Sequence, residues 1–263
     1  MYETLEIARE GSVATLWMNR PDVHNAFNEQ LIAELTLACR QLDDDAAVRV
    51  VVLAGRGKSF SAGADLNWMR RAADASVDEN MADARNLAGM LRTLAEMNKP
   101  TIARVHGAAL GGGMGLASAC DICIAGEGAV FATSEVRFGI IPSAISPYVI
   151  RAIGARQAGR YFQTAERISA SRAAELGLAH EAVPGAELDA KVHGIVVALL
   201  LGGLQSQAAA KDLIRAVADR PVSDELVEDT ARRIATLRST PEAKEGLAAF
   251  LDKRPAAWVP AKQ

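Results

Sequence analysis

The sequence predicts an α/β domain whose chain finishes in helices, and three observations carry this. The run "VRVVVLAG" at 48–55 is continuous, β-branched and bounded by glycine, as expected of a strand covered on both faces. Strand-like runs alternate with helical patterns through about residue 145, and from about 146 onward the pattern is almost wholly helical. A chain of 263 residues is long enough for one large core with a small appendage. Residues 1–195 are expected to form the core that carries the site, and 196–263 a helical C-terminal region.

Taken in order, "TLEIAR" and "VATLWMN" read as two strands separated by a turn at Gly11-Ser12. In "NEQLIAELTLACRQL", Asn28 is placed to cap a helix whose Leu31, Leu35, Ala38 and Leu42 share one face. After the strand at 48–55, Ser76 and Glu79 have capping-box spacing for a long helix. Met81, Ala84, Leu87, Met90, Leu91 and Leu94 stripe it, and Pro100 stops it. "TIARV" and "CDICIA" are further strands, with a glycine-rich turn and a short helix between them; "AVFATSE" reads as another strand edge. Thr240 and Pro241 announce a last helix running through Leu251.

Half the residues are hydrophobic (50%) and 23% are charged, the balance of an ordinary globular protein. A net charge of −3 argues against a nucleic-acid partner while leaving room for a local basic pocket. The N-terminus "MYETLEIARE" has no basic region followed by an apolar run, so no secretory signal is expected. "GIVVALLLGGL" at 194–204 is too short to span a bilayer and is broken by glycine, so no membrane partner is expected. Three cysteines, an odd and low count, fit a reducing cytoplasm, with the two of "CDIC" read as thiols in an apolar strand. The four histidines are scattered without metal-ligand spacing, and no motif demands a metal, flavin or nicotinamide.

A phosphate-loop reading of "GRGKSF" at 55–60 fails. The motif needs a glycine five residues before Gly57, where Val52 stands. A dinucleotide fingerprint starting at Gly111 fails in the same way, because its last glycine would fall on Leu116.

Two other segments each offer free backbone N–H groups at a strand-to-helix turn: "SFSAGADL" at 59–66 and "HGAALGGGMGLA" at 106–117. Small residues let a ligand atom approach the backbone, and a helix N-terminus adds partial positive charge. Two such donors converging on one point would make an oxyanion hole, each worth about 3 kcal/mol to a transition state.

With "NRPDVHNAF", "FSAGADL", "KPTIARVHGAALGGGMGLASACDICIA", "FATSEVRFGIIP" and "AELGLAHEAV" in this order, the chain resembles the crotonase (enoyl-CoA hydratase/isomerase) superfamily over essentially its whole length. The resemblance implies a spiral of ββα repeats with C-terminal helices that build homotrimers, which commonly pair into hexamers. It implies an acyl-CoA thioester substrate, with coenzyme A as part of the substrate and no separate cofactor. The thioester oxygen would lie between the N–H groups of Ala64 and Gly112. The two-glutamate hydratases of the family place one acid where this sequence has Gly115, and the second where it has Glu135. Glu135 is therefore expected to be the acid/base, and Gly115 to leave space near Cβ of the substrate. The coenzyme A portion is expected near Ala26, Phe27, Ala62, Asp65 and Leu66, with Phe250 and Lys253 reaching it from a neighbouring subunit; Asp65 also suits a helix cap.

"SAGADLNWMRR" and "GIIPSAISPY" resemble bacterial 3-methylglutaconyl-CoA and isohexenylglutaconyl-CoA hydratases of leucine and acyclic terpene breakdown. Such substrates are branched and carry a second carboxylate, for which Arg70 or Arg71 is one candidate partner. Ser143, Ser146 and Tyr148 are candidates to bind water or substrate, or serve the loop alone. An enoyl-CoA isomerase and a non-catalytic acyl-CoA-binding subunit are the alternative readings.

Overall fold

In the computed structural model, residues 2–259 are described. Strands β1 (Leu5–Glu10) and β2 (Val13–Met18) form an antiparallel hairpin across Gly11, whose φ of +55° suits glycine. Alternate residues Ala14, Leu16 and Met18 of β2 point into the core, as a half-covered strand requires. Helix α1 (Glu29–Asp44) begins where the Asn28 side chain accepts the Leu31 N–H at 2.9 Å. Its buried stripe contains Leu31, Leu35, Ala38 and Leu42.

Strand β3 (Val50–Gly55) is buried along its whole length and lies parallel to β2 and to β4 (Thr101–Val105). Between them run α2 (Leu66–Asp74) and α3 (Val77–Ala95). The capping box of α3 is formed: Ser76 N–H donates to Glu79 at 2.8 Å, and Glu79 N–H to Ser76 Oγ at 3.3 Å. Next come β5 (Ala108–Leu110), α4 (Gly112–Ala119), β6 (Ile122–Gly126) and β7 (Val130–Ala132), then α5 (Ser146–Thr164), interrupted at Gly154 with φ +76°. The chain continues through β8 (Ile168–Ser169), α6 (Ala170–Leu176), β9 (Glu181–Val183) and α7 (Leu188–Leu200). It closes with α8 (Leu204–Val217), α9 (Asp224–Arg238) and α10 (Pro241–Leu251), the last capped by Thr240.

Two sheets result, one in the order β1-β2-β3-β4-β6-β9 and one in the order β5-β7-β8. Among the described residues, only the β1–β2 and β7–β8 pairings are antiparallel. The alternation of β3 explains why its run is apolar throughout. Val51 and Leu53 face the main core, while Val50 and Val52 pack with Ile102, Ile124 and the Leu188, Val192 and Val196 face of α7. Residue 196, where the helical C-terminal region was expected to begin, falls inside α7, which covers the sheet. All three cysteines are buried free thiols; of the two in "CDIC", Cys123 lies in β6 as expected, while Cys120 ends α4. Burial pushes Cys39 and Cys123 up to about 12, too high for a thiolate at neutral pH.

Strands β8 and β9 were not expected in the helical half. They are two and three residues long and are held by partners far away in the chain. His180 N–H donates to the Cys123 carbonyl at 2.8 Å, and Cys123 N–H returns to His180 Nδ1 at 3.1 Å, docking β9 on β6.

Candidate active site

The two glycine-containing turns lie directly against each other. Ser61 N–H donates to the Ala108 carbonyl, and Leu110 N–H to the Ser61 carbonyl, both at 2.9 Å. Gly63 (φ +91°) and Gly111 (φ +50°) supply backbone conformations that side chains resist. Their neighbourhood is equally demanding, since a Cβ on Gly63 would stand 3.0 Å from the Leu110 carbonyl oxygen. A Cβ on Gly112 would collide with the Phe27 ring, and one on Gly113 with the Ser61 carbonyl. Bare backbone is thus needed for the turns to meet.

The first turn is fastened from the other side by "NRPDVHNAF". Phe27 N–H donates to Gly63 O at 2.6 Å and Asp65 N–H to Phe27 O at 2.8 Å. Fully buried Asn25 binds the Arg56 and Ser59 carbonyls, and Ser61 Oγ donates to the Asn25 carbonyl. Arg20 bridges the Ala26 carbonyl and Asp65, with which it forms an ion pair at 2.9 Å. Asp65 also caps α2 by accepting from Asn67 and Trp68 N–H. Burial alone would raise the Asp65 pKa, but the Arg20 hydrogen bond and these amides outweigh it and hold it below the ordinary value.

Above the paired turns opens a cavity of about 490 Å³. Ala62, Ala64, Leu66, Phe27, Gly112 and Glu135 line it. Neither Ala64 N–H nor Gly112 N–H donates to another described residue, and Gly112 is the first residue of α4, where amides lack helical partners. Glu135 opens a short 3-10 turn at 135–138, with its Oε1 3.1 Å from where a Cβ on Gly111 would stand. Its other oxygen, Oε2, is buried without a hydrogen-bond partner among the described residues. Burial raises the Glu135 pKa above the usual carboxylate value, partly offset by a backbone hydrogen bond. A carboxyl held this way exchanges protons closer to neutrality than a surface glutamate.

Other expected positions stand elsewhere. Ala26 and Asp65 are buried and hold the first turn rather than line the cavity. Arg71 pairs with Glu29 at 2.6 Å and Arg70 with Asn67 at 3.3 Å; neither lines the cavity. Ser143 does line it, whereas Ser146 donates to the Ser143 carbonyl and Tyr148 packs on the core. Phe250 is 81% exposed on α10, and Lys253 follows that helix with φ +54°; both lie away from the cavity of their own chain. Among the described residues, no group of three or more His, Cys, Asp or Glu side chains is arranged to hold a metal ion.

Gly115 requires a correction. It is buried and does not line the cavity, and a Cβ there would run into the Ile145 side chain. The volume expected to be open is filled by Ile145, itself a lining residue that is only 2% exposed. Sequence reading missed this because Ile145 approaches from a loop thirty positions away. Introducing an acid by Gly115→Glu should therefore destabilise the protein by about 1–3 kcal/mol through overpacking. Chemical denaturation checks this, and trimming Ile145 to alanine in the same chain should recover part of the loss.

The family model for enoyl-CoA hydratase/isomerase matches residues 8–260. A crotonyl-CoA hydratase from Syntrophomonas wolfei is 34% identical over 264 residues, covering 98% of each chain. The solved structure of an enoyl-CoA hydratase from Shewanella pealeana shares 41% identity at a TM-score of 0.95, covering 98% of this chain and 97% of that one. An enoyl-CoA hydratase structure from Mycobacterium smegmatis shares 32% identity at a TM-score of 0.91, covering 97% and 98%. Sheet order, paired turns and these likenesses agree over the whole described chain, which has the crotonase fold and belongs to the enoyl-CoA hydratase/isomerase family of enzymes.

Proposed function

We propose that the protein adds water across the double bond of an α,β-unsaturated acyl-CoA. The observation that carries this reading is the half-buried Glu135 side chain beside two adjacent backbone turns, its buried Oε2 without a hydrogen-bond partner among the described residues. A thioester carbonyl oxygen seated against the Ala64 and Gly112 N–H groups would hold the negative charge that develops when a nucleophile attacks Cβ. Glu135 takes a proton from the attacking water as its oxygen bonds to Cβ. It then returns a proton to Cα, so one water is added and the carboxylate is regenerated. No group beyond the coenzyme A of the substrate is needed for these steps.

The preferred substrate in this proposal is branched and carboxylated, of the 3-methylglutaconyl type, in the reducing cytoplasm of a cell degrading leucine or acyclic terpenes. The loop Pro142–Ile145 supports it, because Ser143, Ala144 and Ile145 line the cavity where α5 begins. Among the described residues no lysine or arginine lines the cavity, so a tail carboxylate would depend on the Ser143 hydroxyl. Having a single glutamate at the reaction centre also limits repulsion of an anionic substrate.

A turnover panel of 3-methylglutaconyl-CoA and crotonyl-CoA tests the proposal. Preference for the carboxylated thioester is expected, and Ser143→Ala should raise its KM about tenfold more than that of crotonyl-CoA, the loss of one hydrogen bond to a charge. Clear preference for crotonyl-CoA would remove the carboxylated-substrate reading. Double-bond migration without hydration would favour an isomerase, and binding without turnover a non-catalytic subunit.

Exposed Ile214, Leu247, Phe250 and Leu251 on α8 and α10 support self-association of this helical region. A homotrimer or a pair of trimers is the proposed assembly, read by light scattering.

A further inference from the structure

A second cavity of about 400 Å³ lies in the groove between α1 and α3, with Ile32, Ala33, Leu37 and Met90 among its apolar lining. It shares only two lining residues, Trp68 and Asp83, with the cavity above the paired turns. Those two side chains are joined, since the Trp68 indole N–H donates to Asp83 Oδ2 at 3.0 Å. We propose that the Trp68–Asp83 pair is a partition that limits the length of acyl chain the enzyme accepts, with the outer groove as the path a longer chain would take. The proposal rests on the enoyl-CoA reading above.

The surfaces on each side of the partition suit an alkyl chain. Met69, Ala72, Ala84 and Leu87 line the inner side, and the apolar residues of α1 and α3, flanked by the charged Glu29, Arg40 and Arg85, continue the path beyond it. A chain crossing between them must break the indole–carboxylate bond and push the Trp68 ring aside, which opposes its passage. Helix α2, which carries Trp68, has no buried residue of its own. It is held by the Asp65 cap, by the exposed Arg71–Glu29 ion pair, and by Asn80 donating to the Ala72 and Ala75 carbonyls. Trp68 itself packs against the main core, so the partition is fixed from both the helix and the core side.

Calorimetric titration of the full-length protein with butanoyl-CoA and dodecanoyl-CoA reads the partition without requiring turnover. Each methylene buried strengthens binding about fourfold, so a chain that enters the groove gains affinity steeply while a blocked one does not. In Trp68→Ala the dodecanoyl-to-butanoyl affinity ratio should rise at least about tenfold over wild type, the equivalent of about two further buried methylenes. Trp68→Phe keeps a ring, removes only the donor, and should raise the ratio about threefold, a second reading should the alanine variant not fold. A ratio within twofold of wild type in the folded variants would overturn the proposal. Failure of the wild-type protein to bind either thioester would overturn the enoyl-CoA reading and this inference with it. Binding without hydration would count against the hydratase reading alone and leave the ratio to decide the partition.

Discussion

Glu135→Gln should lower kcat by about 10²–10⁴-fold, the range that a positioned acid/base supplies. Affinity for acyl-CoA should change little, because the amide keeps the size of the side chain and the backbone turns are untouched. The same substitution should leave a signature in stability. Burial raises the Glu135 pKa in the folded protein, so the folded state holds this proton more tightly than the unfolded chain. Below the unfolded value of about 4.3 both states are protonated and burial carries no ionisation penalty. As pH rises from there through the raised folded value, the unfolded chain ionises freely, the folded protein does not, and stability is lost. Glutamine removes that loss. The Tm of the variant relative to wild type should therefore increase between pH 4 and pH 8, and should be flat if the carboxyl titrated normally. Over the same interval wild-type kcat should fall as pH drops through the raised pKa, since water activation needs the ionised carboxylate.

Gly113→Ala should be nearly as damaging, by a different route. The new Cβ would meet the Ser61 carbonyl oxygen and lie 3.0 Å from Ser61 Cβ, which is the seam between the two turns. Both are backbone or backbone-adjacent atoms with no flexible end to give way. Ser61 is itself fixed through its amide, carbonyl and hydroxyl. Overpacking of this kind costs about 1–3 kcal/mol. Spreading the turns would also misplace the two N–H groups, and a displacement on the order of 1 Å lowers rate about 10²-fold. Urea unfolding and turnover together check this. Gly89→Ala is the control, because a Cβ there meets nothing within 4 Å, and in a helix it should be neutral or stabilising.

The contrast between these glycines indicates what a sequence makes visible. Features with local causes were legible: the caps at Asn28, Ser76 and Thr240 depend on residues within one turn, and the buried run of β3 on composition alone. The glycine turns were legible as bare backbone, and Glu135, expected from its motif, does stand in the cavity beside them. Contacts between distant segments were not. Ile145 filling the space over Gly115, Arg20 tying Asp65 to the Ala26 carbonyl, and Trp68 meeting Asp83 are set by packing that periodicity does not encode. The short strands β8 and β9 belong to the same class, because their hydrogen-bond partners lie in other layers. Arg70 and Arg71 illustrate the converse, suggestive by position but directed at Asn67 and Glu29.

Addition of water to an enoyl thioester by the Glu135 carboxylate and two backbone turns is the proposed reaction. Incubation of the protein with 3-methylglutaconyl-CoA and with crotonyl-CoA in D₂O, followed by NMR of the products, tests it most directly. The expected product is a 3-hydroxyacyl-CoA with one deuterium at Cα, formed by wild type and essentially lost in Glu135→Gln. An unhydrated thioester with a migrated double bond, or undiminished hydration by Glu135→Gln, would contradict it.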